Sequence, residues 1–283
     1  MLTIEAIKWK FRRLYLPVSS DTLVLEVGSG GNPYPRSNVL LDAYEETRER
    51  HYDPLVHDRP TVLAFGENLP FRDKTFDFVI AAHVLEHTHK PEKFLEELQR
   101  VAHAGYIETP DAFMERINPY KDHRLEVTLR NDCLMIRKKD AWVVDASLVE
   151  LYEERAKRWV TQQLIPDHPA DFHVRYYWKD RINYQIINPK TDASWQPVDS
   201  NNIMENMLKG QYIRHMILKL FRRVLSQTRR NSRIELLPLL RCPSCHKGEI
   251  SMLGAWIVCG NCKSKYKVDQ GVYFMHSQKT RNR

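Results

Sequence analysis

The chain has 283 residues, of which 42% are hydrophobic and 28% charged, with a formal net charge of +7. That length holds one α/β domain of ordinary size plus a small second module, and the composition excludes bulk disorder. No apolar run approaches the ~20 residues a membrane span needs, so no transmembrane segment is expected. The opening residues, MLTIEAIKWKFRRLYLP, mix apolar and basic positions without the unbroken apolar stretch of a signal peptide. They read as an amphipathic helix, and the protein is expected to be cytoplasmic. The charge is uneven: from Thr191 onward there are 16 Lys+Arg against 6 Asp+Glu. Such a basic end suits an anionic partner, RNA or a membrane surface, or simply a soluble basic face.

In chain order, strand-like and helix-like segments alternate, as a mostly parallel α/β sheet requires. Residues 22–27 (TLVLEV) form a buried strand that runs into glycines, and residues 38–42 (NVLLD) a second. Residues 61–63 and 76–82 (FDFVIAA) are the third and fourth, and 105–109 (GYIET) the fifth. Residues 91–101 (PEKFLEELQRV) read as a helix with Pro91 in its first turn and Phe94, Leu95, Leu98 and Val101 on one face. Residues 123–139 predict a hairpin turning near Arg130, Asn131 and Asp132, and 147–164 a helix. Residues 172–187 predict two strands joined around Lys179 and Asp180, a terminal antiparallel hairpin. Cys133 reads as strand packing. A stretch at 207–224 is basic and amphipathic, with Ile213, Met216, Ile217, Leu220 and Val224 at helical spacing.

The run Glu26, Val27, Gly28, Ser29, Gly30, Gly31, Asn32 places a glycine-rich turn directly after a buried strand, where glycine lets a ligand approach the backbone. Asp42, ending the next strand, is placed to accept hydrogen bonds from ribose hydroxyls. A dinucleotide fingerprint fails, because Pro33 stands where its third glycine belongs. Glu26-Val27-Gly28-Ser29-Gly30 instead resembles the first motif of class I S-adenosylmethionine-dependent methyltransferases. Residues 66–71 (GENLPF), 76–79 (FDFV), 83–87 (HVLEH) and 105–110 (GYIETP) resemble further motifs of that family in order.

The resemblance covers roughly residues 20–190. It implies a Rossmann-like sheet and an S-adenosylmethionine site built from Glu26, Gly28, Ser29, Gly30, Asp42, Glu67, Asn68, Leu69 and His83. Two departures carry expectations. About ten residues, including Pro33 and Pro35, separate the glycine turn from the second strand, too few for a full crossover helix. Phe65 stands where the family often has an acid near the adenine, so adenine recognition is expected to rest on apolar contact and on the backbone of 66–69.

His83 ends the fourth strand on the ligand-binding edge, as a candidate general base or as a cofactor and packing contact. Glu26 is expected to orient the loop beneath the glycines. His123 and Arg124 either reach the substrate edge or start an exposed hairpin. His83, Glu86 and His87 also fit the H-x-x-E-H pattern of inverted zinc peptidases, which requires a helix; here the motif begins at a strand end.

Cys242 and Cys245, then 13 residues, then Cys259 and Cys262, give four soft ligands suited to one tetrahedral zinc ion, with iron as the competitor. Four thiolates leave no open position, so the zinc is structural. The surrounding module, from Leu239 to Tyr273, resembles the Trm112-like zinc ribbons, which typically activate methyltransferases of the translation apparatus as separate subunits. The expected organisation is a class I methyltransferase domain over 1–190, a linker with a basic amphipathic helix over 191–232, and a zinc ribbon over 233–283, with the first domain independent of the metal. The expected function is methyl transfer from S-adenosylmethionine to an O or N nucleophile of a glycan or small metabolite. The alternatives are an acceptor in tRNA, rRNA or a translation protein, or a degenerate cofactor-binding scaffold.

Overall fold

A computed structural model describes residues 11–47, 54–196 and 224–276, with single positions at 4, 7, 8, 217 and 220. Most of the expected N-terminal helix and of the basic stretch at 207–224 lies outside the described residues.

Short buried runs become the central strands: β1 (Val24–Val27), β2 (Val39–Asp42), β3 (Thr61–Leu63) and β4 (Phe76–Ala82). They pair in parallel in the order β3-β2-β1-β4. Helix α1 (Pro91–Val101) starts at Pro91 and buries Phe94, Leu95, Leu98 and Val101. It leads straight into β5 (Ala102–Pro110), parallel to β4. Side chains alternate across the strands. Leu25, Val27, Val79 and Ala81 join α1's residues in the larger core, whereas Val24, Phe78, Ile80 and Tyr106 pack with Leu14, Leu16 and Val18 on the other face. No helix lies between β1 and β2, as the short proline-containing link requires.

Beyond β5 come helix α2 (Ala112–Ile117), strands β6 (Leu125–Arg130) and β7 (Cys133–Lys138), and helix α3 (Ala146–Arg155). The β6–β7 turn is Asn131-Asp132, with φ of 50° and 57°. Two left-handed residues give a turn whose twist matches that of the paired strands. Strand β8 (His173–Lys179) runs antiparallel to β5 at one edge of the large sheet. Its expected hairpin partner goes elsewhere: β9 (Tyr184–Ile186) lies parallel to β7 in a second, three-stranded sheet. The chain leaves the large sheet at Asp180, with φ 61°, and the Tyr176 hydroxyl accepts from Asn183 N at 3.0 Å.

Residues 191–196, expected to open the linker, pack back on the domain. Ala193 is buried, Arg124 donates to its carbonyl at 2.7 Å, and Trp195 Nε1 donates to Lys139 O at 2.9 Å.

The cysteine module is a meander of β10 (Ile250–Leu253), β11 (Trp256–Cys259), β12 (Lys265–Asp269) and β13 (Val272–Phe274). Strand β13 pairs in parallel with β3, with Val272 opposite Thr61 and Phe274 opposite Leu63. The result is one sheet of ten strands running from β10 to β8. Leu236, Leu240, Ile257 and Met275 sit in the same apolar core as Phe71, Phe76 and Leu98. Pairing the edge of β3 also removes an exposed row of backbone donors and acceptors.

Candidate functional site

The glycine loop sits at the carboxyl ends of β1 and β2, where open α/β sheets bind ligands. Gly28 has φ +73°, and a Cβ there would lie 2.0 Å from Val84 Cγ2, so only glycine fits. Its N–H and that of Ser29 donate to Leu41 O at 2.8 and 3.1 Å. Gly30 N donates to Asp42 Oδ2 at 2.9 Å, and Tyr44 N donates to Oδ1 at 3.2 Å. Glu26 lies buried beneath, where its Oε2 accepts from Tyr34 N at 2.9 Å and from the Ser37 hydroxyl. Burial pushes its carboxyl up to about 7, although the Arg12 guanidinium opposes the shift. These bonds tie Glu26 to the link between the glycine turn and β2. The Ser29 hydroxyl is buried with no hydrogen-bond partner among the described residues. A loop shaped by glycine, beside an orphaned hydroxyl and an acid at a strand end, fits the methionine and ribose parts of S-adenosylmethionine.

At the edge where the sequence places the adenine, the cysteine module contributes a residue. Phe65 packs edge-on between Tyr44 and His276, with ring centroids 5.7 and 5.1 Å away. His276 follows β13 and donates Nε2–H to Ala43 O at 2.7 Å. The Asn68 amide is committed to Pro243 O of the first cysteine knuckle at 2.9 Å, and Leu69 N to Glu97 Oε2 at 2.7 Å. Glu67 accepts from the Thr88 hydroxyl. Those donors of Asn68 and Leu69 are therefore already engaged, whereas His276, which sequence reasoning missed, closes this edge from far along the chain.

Beside the loop opens a cleft of about 470 Å³ lined by Gly28, His83, Glu86, Glu115, His123 and His173, among others. His83 has φ +57°, a strained conformation of the kind found where a site over-determines its backbone. Its ring lies 3.4 Å from both Glu86 Oε1 and Glu108 Oε1. Burial alone would lower the His83 pKa, but these two carboxylates outweigh it and lift it to about 9. Burial would raise both acids, yet His83 holds Glu86 and Glu108 at about 2. Glu108 also accepts from the Tyr106 hydroxyl and faces Arg175 Nε at 3.4 Å. His173 stands edge-on to His83, centroids 5.3 Å apart; burial and the His83 charge lower its pKa. Glu86, Glu108 and His173 were missed as site residues. Glu108 carried a signal, since an acid buried in an apolar strand requires a partner.

His83 ends a strand and residues 85–87 make a single tight turn. The two histidines of H-x-x-E-H therefore share no helix face, and the peptidase geometry is absent. A histidine titration followed by NMR is expected to place the His83 midpoint near 9, and Glu108→Gln to bring it down toward the ordinary ~6.5. Because the folded value is raised, the pairing stabilises the fold fully below about 6.5 and loses that contribution as pH climbs through about 9. A wild-type midpoint at or below the ordinary value would contradict the arrangement.

In the ribbon, the sulfurs of Cys242 and Cys262 lie 3.6 Å apart, as do those of Cys245 and Cys259. All four lie within 4.8 Å of one another. A regular tetrahedron with metal–sulfur bonds of about 2.3 Å separates its sulfurs by about 3.8 Å, so the cluster fits one tetrahedral ion.

The sheet order, the glycine loop and the acid at the end of β2 give a mostly parallel α/β sheet that resembles the Rossmann-like methyltransferase fold. Residues 36–107 match the model of the methyltransferase domain family, a match that begins just after the glycine loop. An uncharacterized protein of Methanocaldococcus jannaschii is 46% identical over 81 residues, which are 29% of this chain and 40% of that protein. The match thus spans less than half the length of that curated relative. Among solved structures, a SAM-dependent methyltransferase of Thermotoga maritima is 17% identical over 41% of this chain and 61% of its own, with a TM-score of 0.31. A chain in the complex between the Haloferax volcanii Trm112 methyltransferase activator and a methyltransferase is 15% identical, covering 62% of this chain and 89% of its own, with a TM-score of 0.38. Among the described residues, no helix is long and apolar enough to cross a membrane.

Proposed function

We propose that the chain transfers a methyl group from S-adenosylmethionine to an oxygen or nitrogen of a small metabolite or glycan, with its zinc ribbon as a built-in support of the cofactor site. The observation that carries this reading is the glycine loop pinned to Asp42 at the carboxyl edge of the parallel strands, beside a cleft of small-molecule size.

When bound, S-adenosylmethionine supplies an electrophilic methyl carbon for in-line displacement. In this proposal Gly28, Ser29 and Gly30 receive its methionine part, Asp42 its ribose, and Phe65, Tyr44 and His276 flank its adenine. The protein must then orient the acceptor and take its proton. His83, the sequence's candidate base, keeps its own proton until pH rises past about 9. His173, in contact with it and shifted the opposite way, is unprotonated at neutral pH. We assign the base role to His173 and give His83 a positioning role between Glu86 and Glu108.

Asp42→Ala removes the acceptor of Gly30 N–H as well as the proposed ribose partner, and it is expected to weaken S-adenosylmethionine binding by roughly 1–3 kcal/mol. Calorimetry reads this directly, and an unchanged affinity would remove Asp42 from the cofactor site.

A further inference from the structure

The far wall of the cleft gathers Glu86, His87 and His123. One carboxylate oxygen and one ring nitrogen from each histidine lie within 4.8 Å of one another. The main chain builds this meeting: Arg124 N donates to Glu86 O at 2.7 Å, tying the start of β6 to the turn that follows β4. His123 is held on two sides. It stacks on Tyr120 with ring centroids 4.9 Å apart and an interplanar angle of 22°, and its Nδ1–H donates to Glu115 Oε2 at 2.6 Å. Glu115 is itself buried and anchored by Lys139 Nζ at 2.7 Å. That bond fixes the tautomer of His123 and leaves Nε2 as its ligand atom, the arrangement by which a carboxylate orients a metal-binding histidine.

Glu86 supplies the independent sign of a ligand. It is 1% exposed, and neither carboxylate oxygen has a hydrogen-bond partner among the described residues. The His83 ring approaches one oxygen only to 3.4 Å. The His83 charge compensates Oε1 in part, and Oε2 is left with no hydrogen-bond partner among the described residues, a position that a cation would complete.

We propose that Glu86, His87 and His123 bind one divalent transition-metal ion in the cleft, separate from the four-cysteine ribbon. Two imidazoles and a carboxylate suit zinc, iron or cobalt and leave coordination positions open. Glu86, His87 and His123 line the same cleft as Gly28–Asn32. Resting on the methyl-transfer reading for its role, the ion defines the acceptor class: a molecule that presents an oxygen to a Lewis acid beside the transferred methyl group.

The test adds cobalt(II) to full-length protein prepared with one zinc ion per chain by metal analysis, so that only the four-cysteine site is filled, and follows visible absorption. One equivalent is expected to bind with d–d bands and without the thiolate charge-transfer band that would report exchange into the ribbon. Glu86→Gln and His123→Ala should abolish this binding. Glu115→Gln, which only orients His123, should weaken it about 10- to 100-fold. Each variant is compared at an unchanged melting temperature, and His87→Ala replaces any that fails to fold. Cobalt that does not bind, or binds equally to wild type and variants, overturns the site. The readout needs no S-adenosylmethionine, so a failed methyltransferase assignment leaves this result interpretable.

Discussion

Cys259→Ser is expected to release the ribbon's metal and to damage the cofactor site with it. A structural zinc ion contributes ~10–16 kcal/mol in isolated finger peptides, as much as the whole stability of an ordinary domain, ~5–15 kcal/mol. Cys259 is buried and ends β11, so its loss unravels the meander that presents β13. The edge of β3 is then uncovered, Met275 leaves the core and Ala43 loses its bond from His276. Separate modules, as the sequence suggests, would leave cofactor affinity intact. The shared sheet argues for coupling, with zinc gone, protease cutting the chain after about residue 233, and S-adenosylmethionine affinity down at least tenfold. Metal analysis, limited proteolysis and calorimetry on the same sample decide, and wild-type cofactor affinity in the metal-free variant would refute the coupling.

The second large effect is expected for Gly28→Ala. The left-handed φ of +73° costs a side-chain residue about 1–2 kcal/mol by itself. The new Cβ would also meet Val84 Cγ2 at 2.0 Å, and Val84 follows the strained His83 directly. Val84 is β-branched and stiff at χ1, so the loop must move by more than an ångström. A displacement of that size breaks one or two hydrogen bonds between loop and ligand, about 1–3 kcal/mol. S-adenosylmethionine affinity should therefore fall about 10- to 100-fold while the melting temperature drops only modestly. Wild-type affinity in this variant would show that the ligand does not approach the loop backbone.

Much of the fold was legible because it is local. A short, almost continuous apolar run marks β4, helical periodicity and Pro91 mark α1, and the proline-rich link correctly denies a helix between β1 and β2. The glycine loop and Asp42 were legible because their chemistry is written in adjacent residues. What escaped depends on distant partners. Nothing near Tyr184 says that β9 will pair with β7 rather than β8, since both are short strands that satisfy the same alternation. Likewise, β13 reads as part of a ribbon, and only the bare edge of β3 makes it a strand of the large sheet. The His83, Glu86, Glu108 and His173 cluster joins residues from three elements, and Glu86 lay inside a motif that fits a peptidase equally well. Asn68 and Leu69 were placed by resemblance at the adenine, but the ribbon and α1 take their donors.

The central claim is that the glycine loop and Asp42 form an S-adenosylmethionine site. Its most direct test is calorimetric titration of the zinc-filled, full-length protein with S-adenosylmethionine and with its demethylated product. The account predicts one molecule of either ligand per chain, with affinity lost in Gly28→Ala; no detectable binding of either ligand by the wild-type protein would contradict it.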